Sequence, residues 1–109
     1  MSKKILLIIF LIPFAYLFSQ TKELDIYKKA LSFDQIKNYK SAVKYYKEYL
    51  KISKDNSQKE KVQLRIARIT SNFDASVAEY RTFLSEYPKS RFRFLARYEL
   101  ASLYKFRKI

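Results

Sequence analysis

The sequence predicts an all-α protein whose antiparallel helical hairpins stack as an α-solenoid. Three observations lead to this prediction. The 109 residues include no Gly, which the tight hairpin turns of β folds usually need at positive φ. Apolar residues recur at the i, i+3, i+7 spacing of amphipathic helices. A pattern of residues also repeats after 34 positions, and periods of this size are typical of stacked helical units.

Residues 1–19 are predicted to be a secretory signal peptide that lies outside the fold. Two lysines precede an unbroken apolar run at residues 5–18. A membrane-spanning helix needs roughly 17–25 apolar residues, and this run is shorter and contains Pro13. We expect cleavage between Ser19 and Gln20, which would place the protein in the periplasm or cell envelope. An uncleaved anchor is the alternative. Without Cys, the chain is not expected to be a lipoprotein.

Local signals predict five helices in residues 20–109. Their expected ranges are about 22–36, 39–53, 58–70, 73–86 and 91–107. Ser57 and Glu60 have the spacing of a capping box at the start of the third helix. Pro88 ends the fourth helix, since the residue before Pro is disfavoured in the α region, and Ser90 is expected to cap the fifth. In the absence of Gly, Asn is expected at some helix C-termini.

The repeat aligns residues 38–50 with residues 72–84. Identical or similar pairs are Asn38/Asn72, Tyr39/Phe73, Ala42/Ser76, Val43/Val77, Tyr46/Tyr80, Tyr49/Phe83 and Leu50/Leu84. The period, these residues and Pro88 resemble the tetratricopeptide repeat family, as found in outer-membrane assembly components. The resemblance implies helix–turn–helix units at about 23–56 and 57–90 and a partial unit at 91–109. The resemblance also implies that Ala30 and Ala101, each in the first helix of its unit, lie where helices pack against one another.

The same resemblance implies a concave groove, lined by the first helix of each unit, that binds a protein segment. The groove residues that it implies are Tyr27, Leu31, Lys61, Arg65, Arg68, Tyr98, Ser102 and Lys105. Lys61, Arg65 and Arg68 share one helix face through their i, i+4, i+7 spacing, which suits an acidic peptide or a C-terminal carboxylate. The alternative for these three residues is a solvated helix face.

The chain is strongly basic, with 23 Lys and Arg against 10 Asp and Glu and a net charge of +13. Removal of the signal peptide leaves 21 basic and 10 acidic residues, or +11. Export makes nucleic acid an unexpected partner. Arg91, Arg93 and Arg97 lie beside Phe92 and Phe94, a combination that favours an anionic membrane surface. The alternative for these three arginines is a solvated loop and helix start. The alternative for the net charge is a proteome that is generally rich in Lys.

The composition argues against enzymatic activity. Without Gly the chain has no phosphate-binding loop, and without Cys or His it lacks the usual metal ligands and nucleophile–base pairs. The carboxylate pairs Glu23/Asp25 and Glu79/Glu86 have no apolar pocket that would separate their pKa values. We therefore predict no cofactor, no metal and no catalytic residue.

The predicted function is that of an exported protein-interaction module, an adaptor or scaffold that binds a partner segment in its groove. A basic protein that binds membrane surfaces or polyanions is the first alternative, and a truncated repeat fragment is the second. The last helix carries Phe92, Phe94, Leu95, Tyr98 and Phe106. An end helix with so many apolar residues indicates a partner, self-association or a longer array.

Overall fold

The structure, a computed structural model, describes residues 20–107 and confirms the all-α architecture. Residues 20–35 are helical and form the described part of α1. The following helices are α2 (Tyr39–Ile52), α3 (Asn56–Ile69), α4 (Phe73–Glu86) and α5 (Arg93–Arg107). The predicted signal peptide at residues 1–19 lies outside the described residues. In the described part, no helix is both long enough and apolar enough to cross a bilayer.

Short connections join the helices into antiparallel hairpins. Residues 36–38, 53–55 and 70–72 form the first three connections, and residues 87–92 form a longer fourth one. Short connections between helices force antiparallel neighbours. All five predicted helices are confirmed, and the helix ends that lie inside the described residues fall within about two residues of the expected positions.

The α1–α2 turn uses a lysine where most proteins use glycine. Lys37 has φ 63°, in the left-handed region. The Asn38 N–H donates to the Phe33 carbonyl at 2.9 Å, and the Lys37 N–H donates to the Asp34 carbonyl at 3.0 Å. These two bonds define a Schellman motif, in which a residue with positive φ ends the helix. Lys37 occupies this position, and Asn38 begins the next helix instead.

Asparagine begins both of the second helices in the repeat. The Asn38 side chain accepts from the Ser41 N–H at 3.3 Å, and the Asn72 side chain accepts from the Ala75 N–H at 2.9 Å. Each bond satisfies an N–H group that has no partner inside the helix. Capping therefore explains why asparagine occurs at both positions of the 34-residue repeat.

Two other predicted caps need correction. The Ser57–Glu60 capping box is wrong, because α3 already begins at Asn56 with Asp55 as its N-cap. The Asp55 carboxylate accepts from the Gln58 N–H at 3.1 Å and so takes the capping role two residues earlier. Ser90 does accept from the Phe92 N–H at 3.1 Å, but regular helix α5 begins only at Arg93.

Helix α3 is the centre of the fold because it contributes to two hydrophobic clusters. The first cluster, formed by α1, α2 and α3, contains Ala30, Ala42, Tyr46, Tyr49, Val62, Ile66 and Ile69. The second cluster, formed by α3, α4 and α5, contains Leu64, Ala67, Tyr80, Phe83 and Ala96. Most repeat-matched aromatic residues thus lie in the core, and α3 joins the two halves of the array.

Candidate binding cleft between α1 and α3

A cleft of about 550 Å³ lies between α1 and α3, the first helices of the two complete repeat units. Its lining residues are Tyr27, Leu31, Asp34, Gln35, Tyr46, Gln58, Lys61, Val62, Arg65 and Arg68. Buried Tyr46 and Val62 form its apolar base, whereas exposed Gln35 and Lys61 stand at its surface. The cleft therefore combines an apolar base with hydrogen-bonding side chains around it.

The structure brings five of the predicted groove residues together at this cleft. They are Tyr27, Leu31, Lys61, Arg65 and Arg68. The three predicted residues of α5, Tyr98, Ser102 and Lys105, do not line it. Tyr98 and Lys105 are exposed on the outer face of α5 instead. The described cleft thus belongs to two helices, and the predicted continuation along α5 is not part of it.

Asp34 accepts three hydrogen bonds at the cleft. The Arg65 guanidinium donates from Nε to Asp34 Oδ2 at 2.7 Å and from Nη2 to Oδ1 at 2.6 Å. The buried Tyr46 hydroxyl donates to the same Oδ2 at 2.7 Å. Paired, charge-assisted bonds of this kind are the strongest that side chains make. One carboxylate thereby ties together α1, α2 and α3.

The Asp34 contacts shift the acid–base equilibria of all three partners. The hydrogen bond from Arg65 lowers the pKa of Asp34 below its ordinary value, against the opposing effect of burial. The same bond raises the pKa of Arg65. Burial, together with the bond to Asp34, raises the pKa of Tyr46 well above its ordinary value. At neutral pH the cluster therefore holds a carboxylate, a guanidinium and a neutral hydroxyl.

A second cluster with the same chemistry lies where α3 meets α5. Arg68 donates from Nε to Glu99 Oε1 at 2.9 Å, and its Nη2 lies 2.8 Å from the same oxygen. The Tyr80 hydroxyl donates to Glu99 Oε2 at 3.1 Å. Burial, reinforced by the Glu99 charge, raises the pKa of Tyr80 to about 12. Tyr80 is the repeat counterpart of Tyr46, so each second helix provides one tyrosine to a carboxylate that is paired with an arginine of α3.

These pairs change the electrostatics expected for the three cations of α3. Arg65 and Arg68 are each bound to a carboxylate, so the face is less cationic than the sequence suggests. Lys61 is exposed, and no ion pair to it is found among residues 20–107. Arg65 uses two of its five N–H donors on Asp34, which leaves donors for a ligand. The cleft therefore offers one unpaired ammonium and two partly used guanidinium groups.

Sequence reasoning missed four polar residues of these sites: Asp34, Gln35, Gln58 and Glu99. Asp34 precedes Arg65 by 31 residues, and Glu99 follows Arg68 by the same number. Both spacings fall close to the repeat period and connect first helices of neighbouring units. A search for opposite charges 34 residues apart would instead pair Asp34 with Arg68 and Arg65 with Glu99, so the repeat period alone does not identify the observed pairs. The two glutamines carry no comparable signal.

The basic cluster at the start of α5 is organised around two aromatic rings. The guanidinium of Arg91 lies 4.8 Å from the Phe92 ring centre, and that of Arg93 lies 4.4 Å from the Phe94 ring centre. Arg97 approaches Phe94 from the next turn, at 5.7 Å. A guanidinium that lies over the face of an aromatic ring is attracted electrostatically to the ring. Arg93 and Arg97 thus share exposed Phe94, whereas Arg91 contacts Phe92.

Among the carboxylates considered for acid–base chemistry, Glu79 has structural contacts. Lys47 Nζ lies 2.9 Å from Glu79 Oε1, and the buried Gln63 amide donates to Glu79 Oε2 at 2.8 Å. These contacts join α2, α3 and α4 on the side of α3 away from the cleft. Across residues 20–107, no group of three or more side chains is suitable for holding a metal ion.

Comparisons with known proteins identify no relative. No family model, no curated protein and no solved structure matches the chain.

Proposed function

We propose that this chain is an exported helical-repeat module, similar to tetratricopeptide repeat proteins, that binds a segment of a partner protein in the α1–α3 cleft. Its role is that of an adaptor or scaffold in the bacterial cell envelope. The observation that carries the proposal is the cleft itself, with its apolar base, the exposed ammonium of Lys61 and the unused donors of Arg65. Concave sites that combine apolar surface with a few placed polar groups are typical of ligand binding.

The repeat supports the family part of the proposal. Residues separated by 34 positions take the same structural roles: Asn38 and Asn72 cap helices, and Tyr46 and Tyr80 donate hydroxyls to carboxylates. Such equivalence is expected of tandem helix–turn–helix units, in which each unit packs on its neighbour.

The lining residues favour a segment with both apolar and acidic side chains. Tyr27 and Leu31 provide apolar surface on α1, and Lys61 provides a positive charge on α3. Gln35 and Gln58 each carry an amide that can both donate to and accept from a peptide backbone. Arg65 and Arg68 retain N–H donors for a carboxylate of the segment. Because Asp34 and Glu99 already balance the charges of these arginines, a strongly acidic segment is not required.

Site-specific photo-cross-linking in cells tests the proposal. A photoreactive amino acid replaces Leu31 in the cleft or, as a control position, exposed Lys44 on α2. We expect one recurring protein to cross-link at Leu31 and not at Lys44. Lys61→Glu should reduce the yield by a factor of about 2–5, the effect of one exposed charge pair. The matched variant Lys51→Glu changes an exposed lysine of α2 outside the cleft and should leave the yield unchanged.

Two results would count against the proposal. Identical cross-linked proteins at Leu31 and Lys44 would mean that the cleft has no selective partner. A yield at Leu31 that is equally sensitive to Lys61→Glu and Lys51→Glu would mean that only the overall positive charge matters.

A further inference from the structure

The outer face of α5 is a second surface, distinct from the cleft. Phe94, Tyr98, Ala101 and Lys105 follow one another at i, i+4, i+7 and i+11 along this face. The Phe94 and Tyr98 side chains are 62% and 72% exposed. A helix with apolar residues on nearly all sides is usually covered on all sides. Only Ala96 of α5 is fully buried, so the helix is covered on one side alone.

The hairpins of this protein show what kind of element covers such a face. Ala30 of α1 and Ala42 of α2 are both fully buried in one cluster. At the next hairpin, the Ser76 hydroxyl of α4 donates to the Ala67 carbonyl of α3 at 2.7 Å. Small residues thus let the second helix of each hairpin approach the first closely. Ala101 is the small residue in the centre of the outer face of α5, and it is exposed.

The charge around this face selects among possible occupants. Arg97 and Lys105 are exposed beside the apolar stripe, and the nearby carboxylate of Glu99 is already bound by Arg68. A second copy of this chain would bring the same cations and a net charge of +13, or +11 without the predicted signal peptide, against them. Like charges across an interface are repulsive, whereas an acidic partner would be attracted. The small side chain of Ala101 would allow another helix to pack closely against α5. Binding to a flat lipid surface would not require a small residue at this position.

We propose that the outer face of α5 binds an acidic amphipathic helix of a partner protein, with a small residue of that helix opposite Ala101. The partner helix packs on α5 as α2 packs on α1. Its apolar face covers Phe94 and Tyr98, and its carboxylates pair with Arg97 and Lys105. The surface is separate from the α1–α3 cleft, so the two sites can be occupied independently.

Fluorescence anisotropy with a defined peptide tests this proposal on the full chain. The probe is a labelled peptide with the α4 sequence and the change Arg81→Glu, which is acidic and carries Ser76 at its helix-crossing position. We expect saturable binding to the full chain. Tyr98→Glu should weaken it at least about tenfold, as expected for loss of an aromatic anchor. Leu24→Glu changes an exposed apolar residue on α1 and is the matched control that should leave binding unchanged.

A second peptide separates helix packing from simple charge attraction. The additional change Ser76→Phe keeps the charge of the probe and fills the crossing position, so it should weaken binding. Far-UV circular dichroism of each protein variant checks that the fold is retained. Absence of peptide binding, or equal binding to wild type and Tyr98→Glu, overturns the proposal.

Two further results would assign the face to another occupant and would also overturn the proposal. The first is binding to phosphatidylglycerol vesicles that Tyr98→Glu abolishes while peptide binding stays unchanged, which would assign the face to a membrane surface. The second is self-association in sedimentation equilibrium that Tyr98→Glu abolishes, which would assign the face to a second copy.

Discussion

The two halves of the structure share α3 and repeat the same tyrosine, but they pair it with different partners. In the first half, Tyr46 donates to Asp34 on the preceding helix α1. In the second half, Tyr80 donates to Glu99 on the following helix α5. In both halves an arginine of α3 completes the cluster. Packing positions therefore repeat every 34 residues, whereas the carboxylates that complete the polar clusters do not.

The halves also differ in how well their clusters are shielded from water. The Asp34 side chain is 9% exposed and that of Arg65 is 42% exposed, against 23% and 36% for Glu99 and Arg68. Both carboxylates are bound by a guanidinium and a buried hydroxyl, but the Asp34 carboxylate is the less exposed of the two. The first half therefore carries a closely bonded cleft, and the second half carries an open apolar face.

The largest expected effect concerns the packing that the halves have in common. Tyr49→Ala and Phe83→Ala each remove a buried ring at the same repeat position, one in each cluster. Each should lower the free energy of unfolding by about 3–5 kcal/mol, because a cavity remains where the ring was. Urea denaturation followed by circular dichroism measures both. If only one of the two variants had a lower free energy of unfolding, the result would contradict the structural equivalence of the two halves.

A smaller effect should separate the two carboxylates. Asp34→Ala removes the acceptor of both Arg65 and the buried Tyr46 hydroxyl, so we expect a loss of about 3 kcal/mol in the free energy of unfolding. Glu99→Ala removes a more exposed partner and should cost about 1 kcal/mol. Thermal and urea denaturation provide the measurement. Asp25→Ala, at an exposed position of α1, is the control and should cost little.

The dependence of stability on pH tests both clusters, since Tyr46 and Tyr80 both have raised pKa values and both contribute to an alkaline decline. The pKa of Asp34 is lowered in the folded state, so its contribution is present above the unfolded value, about 3.9, and is lost as pH falls through the folded value. The pKa of Tyr80 is raised to about 12, so between pH 10 and 12 the unfolded state loses that proton first and stability falls as pH rises. Unfolding free energies measured across pH should therefore decline at both extremes. Asp34→Asn should reduce the loss of unfolding free energy at acid pH. Tyr80→Phe should reduce the loss at alkaline pH. Profiles identical to that of the wild type would contradict this assignment.

The smallest expected effect lies in the turns of the two hairpins. Lys37→Gly should raise the free energy of unfolding by about 0.5–1 kcal/mol, since glycine adopts positive φ without the cost that lysine bears. The corresponding helix end in the second half, Thr70, has φ −73° and donates its hydroxyl to the Ile66 carbonyl at 2.6 Å. Thr70→Gly should therefore destabilise by about 1 kcal/mol. Thermal denaturation of both variants should show shifts of opposite sign, and shifts of the same sign would contradict the turn geometries.

Helices and polar contacts differ in how far the sequence can predict them. Apolar spacing and the repeat predict all five helices and the burial of Tyr46 and Tyr80, because hydrophobic periodicity reports which face of a helix is covered. The same reasoning does not assign Asp34 or Glu99 to an arginine, since that choice depends on how neighbouring helices are placed. The N-cap Asp55 was missed because Ser57 and Glu60 matched a capping box more fully.

A double-mutant cycle on Asp34 and Arg65 tests most directly the claim that this pair ties α1 to α3 and builds the cleft. The cycle combines Asp34→Ala with Arg65→Ala, and a parallel cycle combines Glu99→Ala with Arg68→Ala. Residues in one polar network show coupling energies of about 0.5–3 kcal/mol. We predict coupling near the upper end of this range for Asp34–Arg65 and near the lower end for Glu99–Arg68. Coupling close to zero for Asp34–Arg65, or equal coupling for both pairs, would contradict the account.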